Sequence, residues 1–72
     1  MEKHLEEVGE HLRRLRKQAG FKSYSEFAWE YGIDKSQYGR MEKGTNCTLN
    51  SLKKVLDIHK LTFAQFFNLF SD

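Results

Sequence analysis

Apolar side chains recur along the chain at the spacing of a helix, and nowhere at the strict alternation of a half-buried strand. Leu5, Val8, Leu12, Leu15 and Ala19 advance in steps of three and four, which places them on one face of a first helix. Gly20 supplies its stop, because glycine enters the left-handed conformation that ends helices without a steric penalty. Ser23-Tyr24-Ser25-Glu26 reads as a capping box, with Ser23 as the cap and Glu26 reaching back. It opens a second helix that carries Phe27, Ala28 and Tyr31 and closes at Gly32. Asp34-Lys35-Ser36-Gln37 repeats the arrangement and opens a third helix running to Gly44. Thr48 caps a fourth, whose inward face is expected to be Leu49, Leu52, Val55 and Leu56. Thr62-Phe63-Ala64-Gln65 is a further box, opening a fifth helix with Phe63, Phe66, Phe67 and Phe70. The expectation is an all-α fold of five short helices, forming one domain over residues 1–72.

The second and third helices carry the most specific pattern. They are joined only by Gly32-Ile33-Asp34, so they must cross steeply, and a small residue must sit where they approach; Ala28 occupies that place. Gly32 can adopt the left-handed conformation the turn needs. Phe27, Tyr31, Ile33, Tyr38 and Met41 then fall at positions that point inward. These features describe a helix-turn-helix unit over about residues 24–43; the plainer alternative is a helical hairpin with a glycine turn. With Tyr38 and Met41 turned in, Lys35, Ser36, Gly39, Arg40 and Lys43 face outward.

Composition narrows the classes. A chain of 72 residues has a modest core, burying only roughly 60% of its unfolded surface, and no room for a deep substrate cleft. The single cysteine, Cys47, excludes an internal disulfide and reads as a small packing residue rather than a nucleophile. No Cys/His spacing resembles a zinc site, and His4 and His11 stand roughly 10 Å apart along one helix, too far to share a metal. His59 reads as an ordinary residue near a helix end. No metal, cofactor or catalytic constellation is expected, and the chain is read as a non-enzyme. Its charged, periodic start is unlike a signal peptide or membrane anchor, which fits a reducing, cytoplasmic setting.

The net charge is only +2, but its distribution is uneven. Arg13, Arg14, Arg16, Lys17 and Lys22 follow one another with no acid between them, whereas Glu2, Glu6, Glu7 and Glu10 crowd the first ten residues. Part of this asymmetry complements the dipole of the first helix. The remainder is compatible with an edge that faces phosphates.

From Leu15 to Phe67 the chain resembles the five-helix, lambda-repressor-like DNA-binding domain of Cro/C1-type (Xre family) helix-turn-helix transcriptional regulators. Leu15-Arg16, Phe27-Ala28, Glu42-Lys43-Gly44 and Gln65-Phe66-Phe67 match family motifs in the family's order and spacing. There are departures. Tyr24 stands where the family has a phosphate-binding glutamine, and Cys47 replaces a proline before the fourth helix. Gly39 costs the third helix roughly 1 kcal/mol relative to alanine. It is either a tolerated surface glycine or a means of bringing the helix backbone closer to a groove.

The resemblance implies sequence-specific binding of double-stranded DNA, with the third helix, about residues 35–43, in the major groove. It assigns base reading to Lys35, Ser36 and Arg40. Lysine or arginine can pair with guanine O6 and N7, while serine discriminates little. Ser23 and Tyr24 lie at a helix start that favours phosphate, Lys22 is a candidate for the same role, and Gln37 can touch backbone or base. Lys43, Thr45 and Asn46 resemble a second backbone contact. The family also implies an ion pair between Arg16 and Glu42. Asp34 is foremost a cap, and Trp29 is read as partly buried, packing rather than stacking on DNA.

A homodimer is expected, because a lone unit makes few base contacts and two half-sites multiply specificity. Phe67, Leu69 and Phe70 are its expected interface, with Phe63 and Phe66 turned into the core; the alternative is that the whole face covers the core. The rival uses are an antitoxin or accessory regulator of the same fold working through a protein partner, and a pure interaction module. No membrane partner is expected.

Overall fold

The computed structural model describes residues 2–45 and 48–69, with side chains from residue 6 onward. The five helices are α1 (Glu2–Gln18), α2 (Tyr24–Tyr31), α3 (Lys35–Lys43), α4 (Leu49–Ile58) and α5 (Phe63–Asn68). No strand occurs among the described residues, so the fold is all-α and five-helical.

The starts of α2 to α5 each have a local cause. Ser23, Asp34, Thr48 and Thr62 each accept a hydrogen bond from the backbone N–H three residues on, satisfying a donor the helix cannot pair internally. Only Thr62-Gln65 closes the full box, with Gln65 Oε1 accepting from Thr62 N at 2.9 Å. The other two boxes read from sequence are half-formed. Glu26 Oε1 accepts from Lys22 N instead of Ser23, and the Gln37 amide donates to Ser51 Oγ at 2.6 Å, tying α3 to α4. Gly32 and Gly44 cap α2 and α3 in the left-handed conformation. Ala19 lies past the end of α1 and is exposed, so the stripe of the first helix is one residue shorter than expected.

Leu12, Phe27, Ala28, Tyr38, Met41, Leu52, Val55, Leu56 and Phe66 form the core, with Val8, Leu15, Phe21, Ile33, Ile58, Leu61 and Phe63 half-buried around it. Three positions depart from the expected pattern. Leu49, the first residue of α4, is 72% exposed rather than facing in, while Leu52 in the same turn is buried. Tyr31 packs its ring edge on Phe21 and a tilted face on Phe27 yet stays 45% exposed. Trp29 is 87% exposed, so it does not pack. It follows Ala28 on the side of α2 that turns from the core.

His59 is also not ordinary. It caps α4, stacks on Phe27 at 5.3 Å between ring centres, and buries Nε2 without a hydrogen-bond partner among the described residues. Burial holds its pKa below the usual histidine value.

Candidate nucleic-acid interface

The two faces of α3 differ sharply. Tyr38, Met41 and Glu42 are buried, while Lys35, Ser36, Gln37, Arg40 and Lys43 are exposed. On the inner face, Arg16 Nε donates to Glu42 Oε2 at 2.7 Å and its Nη2 to Oε1 at 3.0 Å, a two-pronged pair buried on both sides. The remaining fork, Nη1, donates to the Phe21 carbonyl at 2.9 Å. The hydrogen bond to Glu42 pushes the Arg16 pKa up despite burial, so the guanidinium stays charged. Arg16 is therefore part of the framework and is withdrawn from the basic run of α1. Beside it, the Tyr38 ring stacks on Phe27 at 4.9 Å, and burial followed by the Glu42 carboxylate pushes its phenol pKa up.

The backbones of α1 and α3 also touch. A Cβ on Gly9 would run into the carbonyl oxygen of Glu42, and one on Gly44 would stand 2.6 Å from Glu6 Cα. The apolar stripe alone does not mark Gly9, although a lone glycine within a striped helix is the available signal of a close crossing.

On the outer face, Lys35, Ser36 and the Arg40 guanidinium have no side-chain hydrogen bond or ion pair among the described residues. Gly39, expected to face outward, is buried. The ring of Tyr24 lies over it, with Cε1 2.9 Å from where a Cβ would be. Gly39 is therefore not a surface glycine: it makes room for the tyrosine.

The expected backbone contacts are more varied. Lys22 is exposed and Tyr24 36% exposed, while the Ser23 hydroxyl is occupied in capping α2. Gln37 is held by Ser51. Thr45 directs both its N–H and its hydroxyl at the Arg40 carbonyl, at 3.1 and 2.9 Å, and so caps α3. Lys43 lines a shallow recess with Glu6, Glu7, Glu10, Arg13 and Glu42, where neighbouring carboxylates temper its positive field. Asn46 and Cys47 lie outside the described residues, as does Phe70. On α5, Phe66 is buried, Phe63 half-buried, and Phe67 and Leu69 are 46% and 58% exposed.

Among the described residues, no group of three His, Cys, Asp or Glu could hold a metal ion, and no helix is long and apolar enough to cross a membrane. No curated protein and no solved structure matches the chain. A family profile described as a helix-turn-helix domain does match it, over residues 7–64. The match spans all of α2, α3 and α4 and reaches into α1 and α5, including the left-handed glycines Gly20, Gly32 and Gly44 and the Arg16–Glu42 clamp. By the order of its elements, its αL caps and this match, the chain belongs to the helix-turn-helix domain family, whose members are modules for binding DNA.

Proposed function

We propose that the protein is a small transcriptional regulator of the Cro/C1 (Xre) type, which occupies duplex operators with α3 in the major groove. The single observation that carries this reading is the division of α3. One face is locked to α1 through Arg16 and Glu42, and the other presents Lys35, Ser36 and Arg40 unengaged. A helix held so firmly can offer side chains to base edges without losing orientation on contact. Lys22 and Lys43 would meet phosphates on either side, with the Tyr24 hydroxyl in reach of the same backbone, positioning the unit over about residues 24–43. Ser23, Gln37 and Thr45 contribute mainly by shaping the helix ends and joining α3 to α4. Asn46 extends the same backbone contact in this reading.

The regulator acts as a homodimer through the C-terminal apolar residues Phe67, Leu69 and Phe70, of which Phe67 and Leu69 are 46% and 58% exposed. Working through a different protein is the second reading, favoured by Trp29, whose large apolar side chain is 87% exposed. Selection of bound sequences from random duplex DNA, followed by titration at several salt concentrations, tests the first reading. A preferred site, with binding that weakens steeply as salt rises, is expected. Equal, negligible binding to every duplex would overturn it.

A further inference from the structure

Gly39 lies within the outward half of α3, four residues from both Lys35 and Lys43 and so only about 40° from each around the helix. A side chain there would belong to the exposed face. The space is filled instead by a residue from another helix. The Tyr24 ring takes the space a side chain at Gly39 would need, its Cε1, Cδ1 and Cζ at 2.9, 3.3 and 3.3 Å from an ideal Gly39 Cβ. Tyr24 as a whole stays 36% exposed, so an aromatic side chain stands over Gly39 on a helix whose exposed residues are otherwise polar.

We infer that Tyr24, seated on Gly39, is a specificity-determining residue that reads the C5-methyl group of a thymine; the inference rests on the DNA-binding reading above. The thymine methyl is the one apolar feature of base edges in the major groove, and apolar side chains are what recognise it. A phosphate contact through the hydroxyl alone would need only the tip of the side chain. It would give no reason for the recognition helix to carry a glycine that lowers its own helix propensity. The seat makes sense if the position of the ring matters.

The test uses the full chain and its selected duplex, replacing each thymine in turn by deoxyuridine, which removes only the methyl. Wild-type protein should lose about fourfold in affinity at one thymine per half-site, the factor for uncovering one methyl-sized group. Tyr24→Phe should keep that sensitivity, and Tyr24→Ala should lose it. Gly39→Ala, which pushes the ring off its seat, should lose it too. If Gly39→Ala fails to fold, the Tyr24→Ala, Gly39→Ala double variant removes the clash and should be equally insensitive to the methyl. Specific binding with no methyl-sensitive thymine, or sensitivity that survives Tyr24→Ala, overturns the proposal while leaving DNA binding intact. Uniform loss on all sequences from Tyr24→Phe, with no methyl effect, would make the tyrosine a phosphate ligand and likewise overturn it. No binding to any duplex overturns both readings.

Discussion

Where α1 crosses α3, backbone meets backbone. Gly9 admits the Glu42 carbonyl, Gly44 lies against Glu6, and a buried arginine–glutamate pair spans the contact. Where α4 meets α5, side chains make the contact instead. Val55, Leu56 and Phe66 are buried, Leu61 and Phe63 half-buried, Phe67 rests edge-on against Phe66 at 46% exposure, and Leu49 and Leu69 are mostly exposed. Even the turns differ: α3 ends on a left-handed glycine, whereas the link after α4 puts Lys60 at φ 61°. The first contact is directional and leaves little freedom of angle; the second rests on non-directional apolar burial. The helix proposed to meet DNA is the one fixed by the directional contact.

The largest expected effect follows from breaking the clamp. Glu42→Ala strands the Arg16 charge in the core and should cost about 3–5 kcal/mol, a large part of the roughly 4–11 kcal/mol a chain of this length holds. Denaturant unfolding checks it. Replacing both partners with apolar residues, Arg16→Met with Glu42→Leu, should recover most of that stability, because desolvation offsets much of the pair's attraction. A loss under about 1 kcal/mol for Glu42→Ala would mean the crossing is held by something else.

Gly9→Ala comes next. Alanine favours a helix by roughly 1 kcal/mol over glycine, so on propensity alone the variant should be more stable. The approach of Glu42 reverses the sign, and a net loss of about 1–3 kcal/mol is expected from overpacking. A rise in Tm would show that α1 and α3 can separate at little cost, and would erase the contrast drawn above.

On the α4 side the counterpart is Lys60→Gly. A left-handed lysine costs about 1–2 kcal/mol, partly offset by the chain entropy glycine loses on folding, so a gain of up to about 1 kcal/mol is expected. Unfolding midpoints of the two proteins measure it directly, and an unchanged midpoint would show that the turn is unstrained.

His59 gives that side a pH dependence. Burial lowers its folded-state pKa, and burial followed by the nearby Arg14 lowers that of His11, so the unfolded chain binds more protons as acid is added. Their contribution is complete above the unfolded value of 6.5 and is lost as pH falls from there toward the lowered folded values. Tm should therefore drop below pH 6.5, and His59→Phe, which keeps a ring on Phe27, should flatten the slope. The smallest effects belong to the exposed apolar residues: Trp29→Ala and Leu49→Ser should each change stability by no more than about 0.5 kcal/mol.

Local chemistry made the helices legible in the sequence. A cap acts over three residues and an apolar stripe over two turns, so Ser23, Asp34, Thr48 and Thr62 mark the starts of α2 to α5, and Gly32 and Gly44 the ends of α2 and α3, without reference to anything distant. The same stripes identify Leu12, Phe27, Leu52, Val55 and Phe66 as core. What they cannot supply is the angle at which two helices meet. Packing leaves Leu49 and Trp29 exposed although both are large and apolar, and it brings the Glu42 carbonyl onto Gly9, 33 positions away in the chain. It also lays Tyr24 across Gly39, turning a residue read as bare surface into the seat of an aromatic ring. Periodicity assigns a residue to a face of its own helix; only the packed structure decides what that face meets, because contact depends on the relative placement of elements far apart in sequence.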